Sequence, residues 1–260
     1  MSDNNKEFLD LLNQVINEKT FDLELLNGQT IKCKQLSMGH LRELIKTLTD
    51  SPLTQSLFNS TCTKIFKESI IDLPENYKLT IIDRLLFLIE TRRVSIHPTV
   101  KLTDQENVMD VTVDLKDFKE NLISKIKESK AAFESATFQS DKITCVVETP
   151  TLDTEEQLNE EIYSKLNIEP GNTEEFKNFV ADSFIYEIAK YISSVSINEE
   201  KTLELSQETF EQRVKILQSL PASAIQSVIN YIEKQKTVID QNMIVDGVYV
   251  PIDSSFFTVY

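Results

Sequence analysis

The side chains that could do nucleophilic or metal chemistry in this chain are few and far apart. Its three cysteines are Cys33, Cys62 and Cys145, and its two histidines are His40 and His97. A structural zinc site needs four Cys or His ligands in close pairs, and no CxxC, HxxxH or HExxH spacing occurs. A Cys–His nucleophile pair is not excluded by spacing, because such partners meet in space and not in sequence. Yet Cys33 alternates within a predicted strand, and Cys62 falls on the apolar face of a predicted helix. Both read as small buried hydrophobes. His40 falls near a helix start and His97 precedes Pro98 in a loop, which suits capping or surface histidines. Gly28, Gly39, Gly171 and Gly247 are each isolated, so no glycine-rich loop can bring backbone amides up to a phosphate. Acid pairs such as Glu155-Glu156, Glu160-Glu161 and Glu199-Glu200 diverge by about 100° on a helix and cannot face one cleft as paired catalytic carboxylates must. The expectation is no catalytic residue, no cofactor and no metal. An enzyme of unrecognised type, built around Cys62 or His40, stands as a third reading.

Composition narrows the partner instead. The chain is 40% hydrophobic and 27% charged, as folded proteins are. No stretch reaches the roughly 20 apolar residues of a membrane span, and MSDNNKEF lacks the basic and apolar regions of a secretory signal. The chain is expected to stay in the compartment where it is made, and scattered cysteines fit a reducing cytoplasm. The net charge is −15 and uneven, −4 over residues 1–150 and −11 over residues 151–260. Such a surface repels phosphate backbones, so neither nucleic acid nor membrane is expected as a partner. A basic protein surface would suit the C-terminal half.

The apolar pattern sets the elements. Residues 5–17 predict an amphipathic helix. Phe21, Leu23 and Leu25 alternate with polar residues, and Ile31 and Cys33 alternate again beyond Asn27-Gly28. This spacing predicts a hairpin with both turn residues at positive φ. Helices are predicted from Ser37 to Leu48, from Pro52 through Phe58, Cys62, Ile65, Phe66 and Ile70, and from Leu79 to Arg92. The last is apolar nearly all round, and so central. Strands are predicted over 94–113, a helix from Asp114 or Asp117 to Lys130, and a second hairpin from Phe133 to Val147 across Ser140-Asp141. Helices over 154–166, from Thr173, from Ser206 to Leu220 and from Pro221 follow, with a strand-like link over 192–205. Asp246-Gly247 predicts a small hairpin. The fold class is α+β, predominantly helical with two or three small antiparallel hairpins or sheets. Three parts are expected: an N-terminal helical segment over 1–20, an α+β part over 21–148, and an acidic helical part over 149–260 that ends in a hairpin and tail.

Two segments suit the binding of other proteins. The helix from Ser51 to Ile71 is dense in uncharged polar groups that make specific hydrogen bonds, and Asn59, Ser60, Thr63 and Lys64 are its candidate contact residues. The terminal segment carries Phe256, Phe257 and Tyr260, which either fold back on the chain's own core or anchor it in a partner.

The segments taken in order resemble a known family. The Asn27-Gly28 hairpin with CKQLSMGHLREL, then SPLTQSLFNSTCTKIFKES, LTIIDRLLFLIETR, VTVDL, LPASAIQSVINYIEK and VPIDSSFF are similar to the baseplate protein family of T-even-type contractile-tail phages. Members are linked to the baseplate hub. The resemblance spans about Phe21 to Phe257 and rests on the order of segments. It implies a non-enzymatic role in hub assembly through binding other hub or tail proteins, in the host cytoplasm and in the virion's tail baseplate. A transient assembly chaperone or adaptor absent from the mature virion is the alternative. Some relatives place cysteine pairs after the IETR-like helix and near the C-terminus; residues 94–113 and 238–250 contain none here, so a metal role is not carried over. The oligomeric state is left open.

Overall fold

The computed structural model describes residues 19–47, 54–104, 109–165, 177, 181, 184–198 and 200–258. The helix predicted over 5–17, the start at Pro52, the Thr173 cap and Tyr260 lie outside the described residues. Two compact units form, one of residues 1–124 with 242–260 and the other of residues 125–241. The expected boundary at 148/149 falls within the second unit, because strands before and after Thr149 pair in one sheet.

In the first unit, β1 (Thr20–Glu24) and β2 (Thr30–Lys34) pair antiparallel, with Phe21 opposite Cys33 and Leu23 opposite Ile31. Period-2 alternation turns these four side chains to one face, where all are buried. The turn differs from the expected two-residue form. Leu25 N–H donates to the Gln29 carbonyl and Gly28 N–H to the Leu25 carbonyl, each at 2.8 Å. Three loop residues remain, which is the geometry of a tight turn followed by one left-handed residue. Only Gly28 takes positive φ, at 82°, while the Asn27 side chain accepts from Gln29 N–H at 2.9 Å.

Three helices build on this hairpin. α1 (Met38–Lys46) starts at the expected Ser37. α2 (Thr54–Ser69) buries Phe58, Cys62, Ile65 and Phe66. It stops before Ile70, which bridges to Cys33. Beside that bridge, Ile71 N–H donates to the Lys32 carbonyl at 2.9 Å and the Asp72 carboxylate accepts from Lys32 N–H at 2.7 Å. This return covers an edge that would otherwise offer unpaired backbone groups. α3 (Ile81–Ser95) is buried from Ile82 to Arg92 apart from Leu85, as its all-round apolar sequence required. Phe87 stacks on Phe66 at 4.5 Å and lies 6.2 Å from Phe21. β3 (Thr99–Asp104) and β4 (Met109–Asp114) form a second antiparallel pair. Asp114 then starts α4 (Leu115–Glu128) by accepting from Lys116 and Asp117 N–H.

The second unit holds the largest sheet, in the order β5 (Ala136–Ser140), β6 (Ile143–Val147), β7 (Ile192–Ile197), β8 (Lys201–Glu204). Both predicted strand regions are there, although Phe133 closes a 3-10 turn instead of starting β5. Around the sheet are α5 (Leu152–Lys165), helical residues 184–189, α6 (Phe210–Gln218) and α7 (Ala222–Asn242). The expected Ser206 cap is replaced. Ser206 lies in a 3-10 turn, and Thr209 caps α6 in a reciprocal box with Gln212. α7 runs to Asn242, so Lys234 and Lys236 sit within it. Its buried stripe is Ala224, Val228, Tyr231, Ile232 and Gln235; Ile225 and Ile229 pack at the margin of the same core as Cys145, Val147, Tyr191 and Val195.

The chain closes in the first unit with β9 (Ile244–Val245) and β10 (Val248–Tyr249). Here Asp246 and Gly247 take φ of 50° and 82°, the two-residue turn that Asp-Gly favours. The fold is α+β. Four antiparallel sheets occur among the described residues, three two-stranded and one four-stranded, against the two or three expected.

Candidate functional site

The candidate residues on α2 begin as a polar run, and the structure divides them by depth. Thr63 is fully buried. Its hydroxyl accepts from Arg84 Nη1 of α3 at 2.7 Å, and the Asn59 carbonyl accepts from the same nitrogen at 3.3 Å. These two residues therefore hold α2 to α3. A hydroxyl placed opposite a buried guanidinium is worth more inside the fold than on its surface. The Asn59 side chain accepts from Gln55 Nε2 at 3.1 Å. Ser60 is half-buried and Lys64 exposed. Of the four, Thr63 is removed from contact with any partner.

The terminal phenylalanines are also inside. Phe256 and Phe257 are buried, their rings 5.4 Å apart and edge to face. Phe257 lies 6.3 Å from Phe58 of α2, and the Arg92 guanidinium lies 5.3 Å over the Phe256 ring. Arg92 Nε donates to the Phe256 carbonyl at 2.5 Å. The tail is thus clipped to its own core, and Phe256 and Phe257 are not exposed anchors. Burying two phenyl rings outweighs leaving them in water.

What the sequence reading missed is the charge on α3. Asp83, Arg84, Glu90 and Arg92 are all buried. Asp83 joins the hairpin turn to the helix start. It accepts from Leu26 N–H at 2.7 Å, Tyr77 Oη at 2.9 Å, and Thr80 N–H and Oγ1 at 2.8 Å. Burial still raises its carboxyl pKa, against the lowering by these hydrogen bonds. Glu90 is gripped by Arg93 through two bonds of 2.6 and 3.0 Å and by Lys119 of α4 at 2.7 Å. Burial pushes its pKa up, but the hydrogen bonds and charges of both cations prevail and hold it below the ordinary value. The available signal was four charges within LTIIDRLLFLIETR, where an interior helix must give each one hydrogen-bond partners.

The cysteines and histidines occupy structural places. All three cysteines are buried and none is in a disulfide. Burial, and secondarily Asp72, pushes the Cys33 thiol up to about 12. His40 completes the α1 cap: its N–H donates to Ser37 Oγ at 3.2 Å, and its Nδ1 accepts from Ser37 N–H at 3.3 Å. Burial lowers its pKa, opposed by Glu68, whose carboxylate lies 4.0 Å from Nε2. His97 Nδ1 is taken up by Thr99. Among the described residues no three His, Cys, Asp or Glu side chains gather as a metal site would need, and no helix is long and apolar enough to cross a membrane.

Exposed apolar side chains occur on both units, Phe184 and Ile197 on the second and the larger number on the first. α1 exposes Met38 (79%) and Ile45 (45%), α2 exposes Leu57 (37%), and the cross-strand pair Ile244 and Tyr249 is about half exposed at 51% and 52%. No protein-family model, curated protein or solved structure matches this chain.

Proposed function

We propose that this chain acts by binding other proteins, as a baseplate hub component or hub assembly factor of a contractile-tail phage. The observation that carries the binding reading is the contrast on α1 and α2. The polar candidate Thr63 of α2 is engaged inside the fold, while Met38, Ile45 and Leu57 are left in water. Exposed large apolar side chains on packed helices suit a surface that another protein covers. The phage assignment rests on the resemblance of ordered segments alone. The acidic C-terminal half steers encounter with a basic partner.

The test is purification of the tagged chain from phage-infected cells, with cross-linked partners identified by mass spectrometry. Recovery of tail proteins with the wild type, and their loss with Met38→Glu plus Ile45→Glu at unchanged thermal stability, is the expected result. Absence of the chain from both tails and assembly intermediates refutes the phage reading. Quantitation in purified virions separates an incorporated subunit from a transient chaperone.

A further inference from the structure

Arg92 differs from Glu90 in having no counter-charge. It is buried to 6% exposure, yet no carboxylate lies within ion-pair distance of it among the described residues. Its Nε donates to the Phe256 carbonyl, and its Nη1 donates to the carbonyls of His97 at 2.9 Å and Thr99 at 3.4 Å. Nη2, with two N–H groups, has no acceptor among the described residues. A buried cation satisfied only by carbonyl dipoles leaves a net positive charge that an anion would neutralise.

The guanidinium faces a cavity of about 420 Å³ whose second cation is Lys101, and whose wall carries Val100, Leu102, Pro251 and Phe256. Among the described residues no Asp or Glu lines it, in a chain of net charge −15. Two acids on the adjoining elements are already engaged. Asp114, opposite Thr99 in the strand pair, accepts from the α4 backbone. Asp253 accepts from Ser255 N–H at 2.8 Å and Oγ at 2.5 Å. His97, on the same wall, has its Nδ1 occupied by Thr99. Burial lowers the Arg92 pKa with no carboxylate to oppose it.

We propose that this cavity binds a carboxylate carried on an apolar group. Arg92 Nη2 and Lys101 Nζ take the carboxylate, while Val100, Leu102, Pro251 and Phe256 hold the apolar body. The volume lies in the range of roughly 300–1,000 Å³ typical of small-molecule sites and exceeds what a bare inorganic anion would fill. A free aromatic or aliphatic acid and the C-terminal end of a peptide share this chemistry. The site does not depend on the assembly role above, and either can fail without the other.

The test is a calorimetric and NMR titration of the intact protein with phenylacetate, with the acetylated tetrapeptide Gly-Ser-Leu-Phe as free acid and as amide, and with inorganic phosphate. The expected result is saturable binding of phenylacetate or the free-acid peptide, with amide shifts at Val100, Lys101 and Phe256. The peptide amide should bind at least about tenfold more weakly, the loss expected for one charge-assisted hydrogen bond. Lys101→Ala should weaken binding and Lys101→Glu should abolish it. Because Arg92 also clips the tail, the exposed Lys101 carries the test. Phenylacetate alone identifies a small free acid, and the peptide acid alone a chain end. The proposal is overturned if no carboxylate binds at about 10 mM, a weak limit even for a ligand of this size. Binding of phosphate only, or equal binding by Lys101→Glu and wild type, overturns it as well.

Discussion

At the residue scale, stability in the first unit depends on buried charges held by hydrogen bonds, of which Glu90 is paired with cations. Glu90→Gln removes the negative charge and one of the two oxygens that accept from Arg93 and Lys119, and should cost about 3 kcal/mol, as breaking a buried ion pair does. Its pKa is held low in the fold, so the native state binds fewer protons than the unfolded chain. The contribution of Glu90 is therefore present above the ordinary glutamate pKa of about 4.3 and is lost as pH falls through and below it. Asp83, raised by burial, has the opposite sign and becomes more favourable on acidification. Urea midpoints measured between pH 7 and 3 should show a flatter acid limb in Glu90→Gln than in wild type; an unchanged limb would contradict the assigned pairing. Thr63→Val keeps volume and deletes the acceptor for Arg84, and should destabilise by about 1.5–3 kcal/mol. A neutral result would place Thr63 outside the helix–helix contact.

At the element scale, turns and caps can be tested one position at a time. Gly28 and Gly247 both take φ of 82°, and a Cβ at either would meet nothing within 4 Å. The penalty for Gly28→Ala or Gly247→Ala is therefore backbone strain alone, about 1–2 kcal/mol, and Gly→Asn should recover part of it. Thermal unfolding of the alanine and asparagine variants reads this directly. For α6, Thr209→Ala should cost about 1 kcal/mol and Ser206→Ala should be near neutral. The reverse order would restore the cap expected from the sequence. The distinction arises because a Thr-x-x-Gln box satisfies two terminal N–H groups reciprocally, whereas Ser206 is spent in the preceding 3-10 turn.

At the scale of the whole molecule, the chain leaves the first unit, completes the second, and returns to supply the terminal hairpin and tail. Residues 242–258 are therefore structural for the first unit despite their distance in sequence. Phe257→Ala should cost about 3–5 kcal/mol, as for a buried phenylalanine in a close-packed core. Hydrogen exchange should accelerate across residues 19–124 and leave residues 125–241 largely protected. Uniform acceleration in both units would mean that they unfold as one.

Local features were legible in the linear chain. The hairpin at Phe21–Cys33, the Asp-Gly turn, the Ser37 cap and the central character of α3 follow from periodicity and turn chemistry, which act over a few residues. The turn at Asn27-Gly28 was legible as a turn but not as a type, because strand register, set by packing on α3, decides how many residues are left to close it. The candidate contact residues show the same divide. Asn59, Thr63, Phe256 and Phe257 were recognisable as unusual, but burial and hydrogen bonding are relations between distant segments. Only tertiary structure brings Thr63 to Arg84, Phe257 to Phe58, and Arg92 to the carbonyl of a residue 164 positions away. A residue's chemical type decides what bonds it can make; whether it faces a partner, its own core or an open cavity is decided by the long-range packing that sets its solvent exposure.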